Sequence, residues 1–190
     1  MQKGLLIIFS GPSGVGKGTV REYIVNTKEV DLTYSVSMTT RKPREGEIDG
    51  VHYYFVSQEE FDKTIQEDGF LEHASFIGNS YGTPKAKVEE LRNQGKNVFL
   101  EIEVKGATQV LDKVKDDRVV SIFLMPPSAK TLEARIRGRK TESPEVIEKR
   151  LNKGLSEIKE ADKYDYVIVN DKVKTAGDKI IAILKNKIKQ

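Results

Sequence analysis

A chain of 190 residues with 37% hydrophobic and 32% charged side chains suits one domain with room for inserted subdomains, and excludes a disordered polymer. Its 32 basic residues outnumber its 29 acidic ones by only three, with both signs interspersed, which excludes a strongly basic nucleic-acid surface and leaves room for a small anionic partner. The absence of cysteine excludes disulfides, iron–sulfur clusters, thiolate zinc and a cysteine nucleophile, and two histidines, His52 and His73, argue against a zinc enzyme.

Leu5–Phe9 is the first apolar run. It is too short to span a membrane or to form a typical signal-peptide core, and no small-residue cleavage pattern follows, so the chain is expected to be cytoplasmic, with no membrane or nucleic-acid partner. Its unbroken apolar character predicts a strand buried on both faces. A glycine-rich loop and a helix follow. From residue 34 to 88 the pattern changes to turns, aromatics and hydroxyls, as an insertion would. Inside it, Ser57 with Glu60 three places on predicts a capped helix over SQEEFDKTIQE. Thr83-Pro84 predicts a helix through Leu91 that ends near Gly95.

Further strands are predicted at Val98–Ile102, Val119–Leu124 and Tyr166–Val169. Met125-Pro126-Pro127 marks a stiff boundary, after which Ser128 caps a helix in PSAKTLEARIRG. Ser143-Pro144 opens a longer helix through Arg150 towards Ile158, and Ala176–Ile188 reads as a final amphipathic helix. Strands alternating with helices imply an α/β fold with a parallel sheet flanked by helices. There is no internal repeat.

The loop after the first strand reads Gly11-Pro12-Ser13-Gly14-Val15-Gly16-Lys17-Gly18-Thr19, which fits the G-x-x-x-x-G-K part of a phosphate-binding loop. Glycines let the backbone approach oxygens closely, and the loop amides and helix N-terminus then face the phosphates. Lys17 adds a mobile full charge. A dinucleotide fingerprint fits worse, because the glycine spacing differs and a lysine stands where a helix should pack. Gly18 occupies the place of the usual Ser or Thr. The hydroxyl comes one position later, at Thr19, turned by about 100° around the helix. Magnesium is therefore expected to be held mainly by nucleotide oxygens and water near Thr19. Glu101 and Glu103 are candidates to hold those waters, and strand periodicity leaves them equally open to being strand-end carboxylates.

In the insertion, Arg41 and Arg44 stand beside Ser37, Thr39 and Thr40 in a turn-rich segment. Arginine forks with hydroxyls can bind phosphate, although such a run taken alone is more simply a solvated basic loop. Tyr53, Glu72 and the Tyr81-Gly82-Thr83 run each have ordinary structural readings as well. The segments GPSGVGKGT, SVSMTTRKPREGE, GVHYYFVS, FLEHASFIGNSYGT, FLEIEVKGA and RIRGRKTESPEVIEKRL occur in this order at suitable separations. Together, from Leu5 to Asp171, they resemble the guanylate kinase family.

That resemblance implies a parallel-sheet core (1–33, 89–125 and 157–190), a mixed α/β GMP-binding insertion (34–88) and a helical lid (126–156). It implies transfer of a phosphoryl group from Mg·ATP to GMP, with dGMP a slower acceptor, in purine nucleotide metabolism. By motif position, Arg41, Arg44, Tyr53 and Tyr81 match residues that hold the GMP phosphate. Ser37, Glu72 and Thr83 match residues that read the base, with Glu103 a second base-side carboxylate. Glu101 matches one nearer the metal, and both are longer than the Asp expected there. Arg135, Arg139 and Arg150 match the phosphate-facing arginines of the lid, which with Lys17 would carry the charge of phosphoryl transfer. Asn170 matches a contact to the adenine of ATP. Against this stand another P-loop kinase, disfavoured by the base-reading set; a non-catalytic binding module of the same family, disfavoured by the retained Gly11, Gly16 and Lys17; and a nucleic-acid-binding ATPase, disfavoured by the small net charge. Oligomeric state is not determined by the sequence.

Overall fold

A computed structural model of the chain describes residues 2–76, 78–138 and 143–190. The first elements are β1 (Leu6–Ser10), α1 (Lys17–Thr27) and β2 (Thr33–Tyr34). The insertion then contributes β3 (Met38–Thr39), β4 (Tyr54–Phe55), α2 (Gln58–Gln66), β5 (Phe70–Phe76) and β6 (Asn79–Pro84). The chain continues with α3 (Lys85–Asn93), β7 (Val98–Glu101), α4 (Val104–Lys113) and β8 (Val119–Met125). It closes with α5 (Ala129–Arg137), α6 (Pro144–Ile158), β9 (Tyr166–Val169) and α7 (Val173–Lys189).

The main sheet has the order β2-β7-β1-β8-β9, and every pairing in it is parallel. β1 sits at its centre, and all five of its residues are buried. Alternate side chains leave the central strand on opposite faces. Leu5, Ile7 and Phe9 join one core with Val20 and Ile24 of α1 and Ile180 and Leu184 of α7. Leu6 and Ile8 join the other with Leu100, Val104, Ala107 and Val110. This double burial explains why β1 reads as an unbroken apolar run. The four expected strands all form. β2 and α4 complete the core and were not foreseen.

The second sheet, β4-β3-β6-β5, is mixed: β3 runs parallel to β4 and antiparallel to β6, which pairs antiparallel with β5. All its strands fall between residues 34 and 88, whereas Tyr34 pairs with Phe99 in the main sheet and α3 runs across residue 88. Ser57, Ser128 and Ser143 cap α2, α5 and α6, accepting from the N–H groups of Glu60, Thr131 and Val146. Each such cap stabilises its helix by about 1 kcal/mol. Pro84 is the N-cap residue of α3 and has no side-chain acceptor to offer, while the Thr83 hydroxyl before it donates to Glu72. Among the described residues, no helix is long and apolar enough to cross a membrane.

Candidate active site

The Gly11–Thr19 loop joins the centre of the sheet to α1. Gly11 and Gly16 take φ values of 151° and 97°, a region that favours glycine. A Cβ on Gly11 would lie 2.4 Å from the Leu124 carbonyl oxygen, so the loop can leave β1 only through a residue without a side chain. The loop borders a cavity of about 370 Å³, also lined by Glu101, Ile102, Glu103, Arg150 and Glu157. Lys17 Nζ folds back over the loop and donates to the carbonyls of Gly11 (2.6 Å) and Pro12 (3.3 Å). Burial pushes its ammonium below the usual lysine value, and Glu157, Glu101 and Glu103 oppose that shift. A cation poised over glycine-rich backbone, beside a helix N-terminus, has the chemistry to cradle a phosphate.

Two groups expected at the nucleotide, Arg135 and Asn170, pack around the loop and do not line the cavity. Arg135 of α5 donates to the Val15 carbonyl (3.1 Å) and to the Asn170 carbonyl (2.9 Å), which clamps the loop to the turn after β9. Asn170 is only 3% exposed, and its amide donates to the Val15 carbonyl at 2.8 Å. This conformation offers Asn170 to the loop, not to a base. Arg150 of α6 donates to the Ser13 hydroxyl at 2.9 Å and does line the cavity. Arg139 lies outside the described residues.

The insertion gathers the other expected set in two places. Thr39 of β3 and Ala74 of β5 both pair with Tyr81 of β6, and Glu72 pairs with Thr83 across the β5–β6 ladder. At one end, the Arg41 guanidinium lies 5.5 Å from the Tyr53 ring centre and 5.8 Å from that of Phe55. Tyr53 and Tyr81 meet edge to face at 6.1 Å. Arg41 is held by Glu47 through a bidentate pair of 2.8 and 2.9 Å. Arg44 is exposed on the same turn and donates its backbone N–H to Glu47 at 2.7 Å. The Arg41 fork and the Arg44 amide hold the Glu47 carboxyl down at about 2.

At the other end, Glu72 is 9% exposed and accepts the Thr83 hydroxyl at 2.6 Å. Burial raises the Glu72 carboxyl, against the Thr83 hydrogen bond, and Glu103 adds to the rise. Its Oε2 lies against α4, where a Cβ on Gly106 would come within 2.8 Å. The Glu72 carboxylate therefore rests on the helix whose N-cap residue, Glu103, lines the cavity beside the glycine-rich loop. Ser37 is half-buried at the start of β3, and its carbonyl accepts the Tyr54 N–H at 2.9 Å.

Two residues escape sequence reasoning. Glu47 follows a glycine in a charged turn, and nothing in its spacing marks it as the partner of Arg41. Glu157 stands 144 residues after Ser13, yet it accepts the Ser13 N–H at 3.2 Å. For a metal, the cavity offers the Thr19 hydroxyl and the Glu101 and Glu103 carboxylates. Glu101 Oε2 is buried without a hydrogen-bond donor, 3.2 Å from Arg21 Nη1. These few hard oxygen donors beside a phosphate cradle fit magnesium, which keeps most of its shell as water and phosphate.

Comparison with known proteins agrees with this architecture. The family model described as Guanylate kinase matches residues 3–187. The chain is 57% identical to the guanylate kinase of Mesoplasma florum, over 96% of this chain and 61% of that one. It is 53% identical to the guanylate kinase of Enterococcus faecalis, over 96% of this chain and 89% of that one. It thus spans about 61% of the length of its Mesoplasma relative, but most of the Enterococcus one. Among solved structures, the guanylate kinase of Anaplasma phagocytophilum superposes with a TM-score of 0.73 at 33% identity, covering 100% of this chain and 89% of that one.

Proposed function

The chain belongs to the guanylate kinase family, and on that premise we propose that it transfers the γ-phosphoryl group of Mg·ATP to GMP, and more slowly to dGMP, giving ADP and GDP. The observation that carries this reading is the buried Glu72–Thr83 pair, set on the helix that begins at the phosphate cavity. Guanine presents N1–H and its 2-amino group as adjacent donors, and a carboxylate presents matching acceptors. Adenine turns a lone pair towards Glu72 at the same place. A site built to bond a required group rejects the analogue lacking it by roughly 10⁴-fold.

In this reading, residues 34–88 bind GMP, 126–156 close as a lid, and the remainder forms the core. The Gly11–Thr19 amides and Lys17 hold the ATP phosphates, with Asn170 supporting the loop. Arg41, Arg44, Tyr53 and Tyr81 hold the GMP phosphate, while Ser37, Glu72, Thr83 and Glu103 face the base. A phosphate oxygen of GMP attacks the γ-phosphorus in line, displacing ADP. That oxygen is already anionic near neutrality, so no general base is needed. Charge spreads over the transferred group, and positioned cations stabilise it. Lys17, Arg139 and Arg150 supply that charge, and Arg135 does so on release from its two carbonyl partners. Magnesium, when bound, neutralises phosphate charge; Thr19 and Glu101 would hold its water shell.

A terminal-phosphate label on ATP tests the reaction. With GMP present, the label is expected to move into GDP. Label that stays in ATP, or leaves only as inorganic phosphate, would overturn the proposal.

A further inference from the structure

Glu157 lies in the wall of the phosphate cavity and has no part in the reaction just described. It is 8% exposed, near the C-terminal end of α6. Its Oε2 accepts the backbone N–H of Ser13 at 3.2 Å. One turn earlier, Lys153 brings its Nζ to 3.6 Å from Glu157 Oε1 and 2.7 Å from Glu103. Two turns earlier, Arg150 donates to the Ser13 hydroxyl at 2.9 Å. One face of one helix thus grips Ser13 by its backbone and by its side chain. Gly154 lies between the two grips. A Cβ there would meet Leu132 Cδ2 at 3.0 Å and Pro12 Cβ at 3.7 Å, so the missing side chain lets α6 come this close to the loop.

A carboxylate in this position works against two other needs of the site. Burying its charge is costly. Its charge also repels the phosphates that the loop is shaped to receive. A neutral or apolar residue would serve stability and attraction better. What Glu157 supplies is directional: an acceptor of fixed reach, aimed at one loop amide.

We propose that Glu157 is a positioning residue, which by accepting the Ser13 N–H fixes the outer arm of the phosphate loop against α6 in the arrangement that receives the donor nucleotide. It acts through Ser13 and does not touch the substrate. The proposal rests on the reading of this loop as the ATP cradle.

Two conservative variants of the full chain separate reach from charge. Glu157→Gln keeps an acceptor at full length and loses the charge. Glu157→Asp keeps the charge and withdraws the acceptor by one methylene. KM for ATP, KM for GMP, kcat and the thermal midpoint are measured for each. Glu157→Asp is expected to raise KM for ATP up to about tenfold, the loss of one hydrogen bond, with KM for GMP and kcat close to wild type. Glu157→Gln is expected to stay near wild type. The reverse order would assign the role to charge and overturn the proposal. Unchanged KM for ATP in both variants, a lower KM in either, or a parallel rise in both KM values would also overturn it. A wild-type chain that moves no phosphoryl group from Mg·ATP to GMP would fail the cradle reading itself, and the proposal with it.

Discussion

Glu72 and Glu47 are both carboxylates of the insertion, and their surroundings push them in opposite directions. Burial raises Glu72, so it takes up a proton at higher pH than an ordinary glutamate. Protonation removes an acceptor that the guanine donors need. KM for GMP is therefore expected to rise as pH falls from neutrality into the mildly acid range, ahead of any rise in KM for ATP. Glu72→Gln should flatten that dependence and cut the preference for GMP over AMP on the order of a hundredfold or more. A Glu72→Gln variant with wild-type discrimination would remove Glu72 from base reading. Glu47 sits at about 2, held by Arg41 and the Arg44 amide. A depressed carboxylate adds stability above its unfolded value and loses it as pH falls through the folded one. That contribution is present throughout the neutral range and disappears in strong acid. Glu47 takes the Nη1–Nη2 end of the Arg41 fork, and the Lys42 carbonyl accepts from Nη1 at 2.8 Å, so the guanidinium is fixed in direction by its own turn. Glu47→Ala is expected to raise KM for GMP about tenfold with little change in KM for ATP. A lower KM for GMP would mean that Glu47 competes with the phosphate instead of orienting Arg41.

Among the elements, the β1–loop–α1 unit is the most constrained. Gly11→Ala would place a methyl 2.4 Å from the Leu124 carbonyl oxygen at a φ of 151°. Thermal unfolding should show a loss of roughly 1–3 kcal/mol, and ATP binding should weaken with it. An alanine variant of wild-type stability would contradict the close approach of β8 to the loop. This unit was also the most legible in the sequence, because its strand, glycines, lysine and helix are contiguous. The four short apolar runs and three serine caps were legible for the same reason, being local patterns. β2 was not: two residues carry no periodicity, and Thr33–Tyr34 becomes a strand only by pairing with Val98 and Phe99. The grips of Arg135, Asn170 and Glu157 on the loop were illegible too. They join residues more than a hundred positions apart, and spacing along the chain records nothing of such contacts.

For the whole molecule, the proposed donor and acceptor sites fall on different sheets. Arg41, Tyr53, Tyr81 and Glu72 do not line the cavity that holds Lys17 and Arg150. In-line transfer needs the reacting atoms about 3–3.5 Å apart. On the proposed function, the insertion and the α5–α6 segment would have to approach when both nucleotides are bound, which would also exclude water from the γ-phosphate. Small-angle scattering should show a smaller radius of gyration with a linked ATP–GMP analogue than with either nucleotide alone. A radius unchanged by that analogue, in an active enzyme, would contradict closure. The division into core, insertion and lid is an expectation carried by the family resemblance, whereas the contact of Glu72 with α4 emerged only from the folded chain. The most direct measurement is ADP formation from Mg·ATP with GMP, dGMP, AMP, CMP and UMP supplied in parallel. Fast turnover with GMP, slower with dGMP and very little with AMP is the predicted result. Comparable turnover with AMP, or none with GMP in a folded chain that binds it, would contradict a kinase that reads guanine through Glu72.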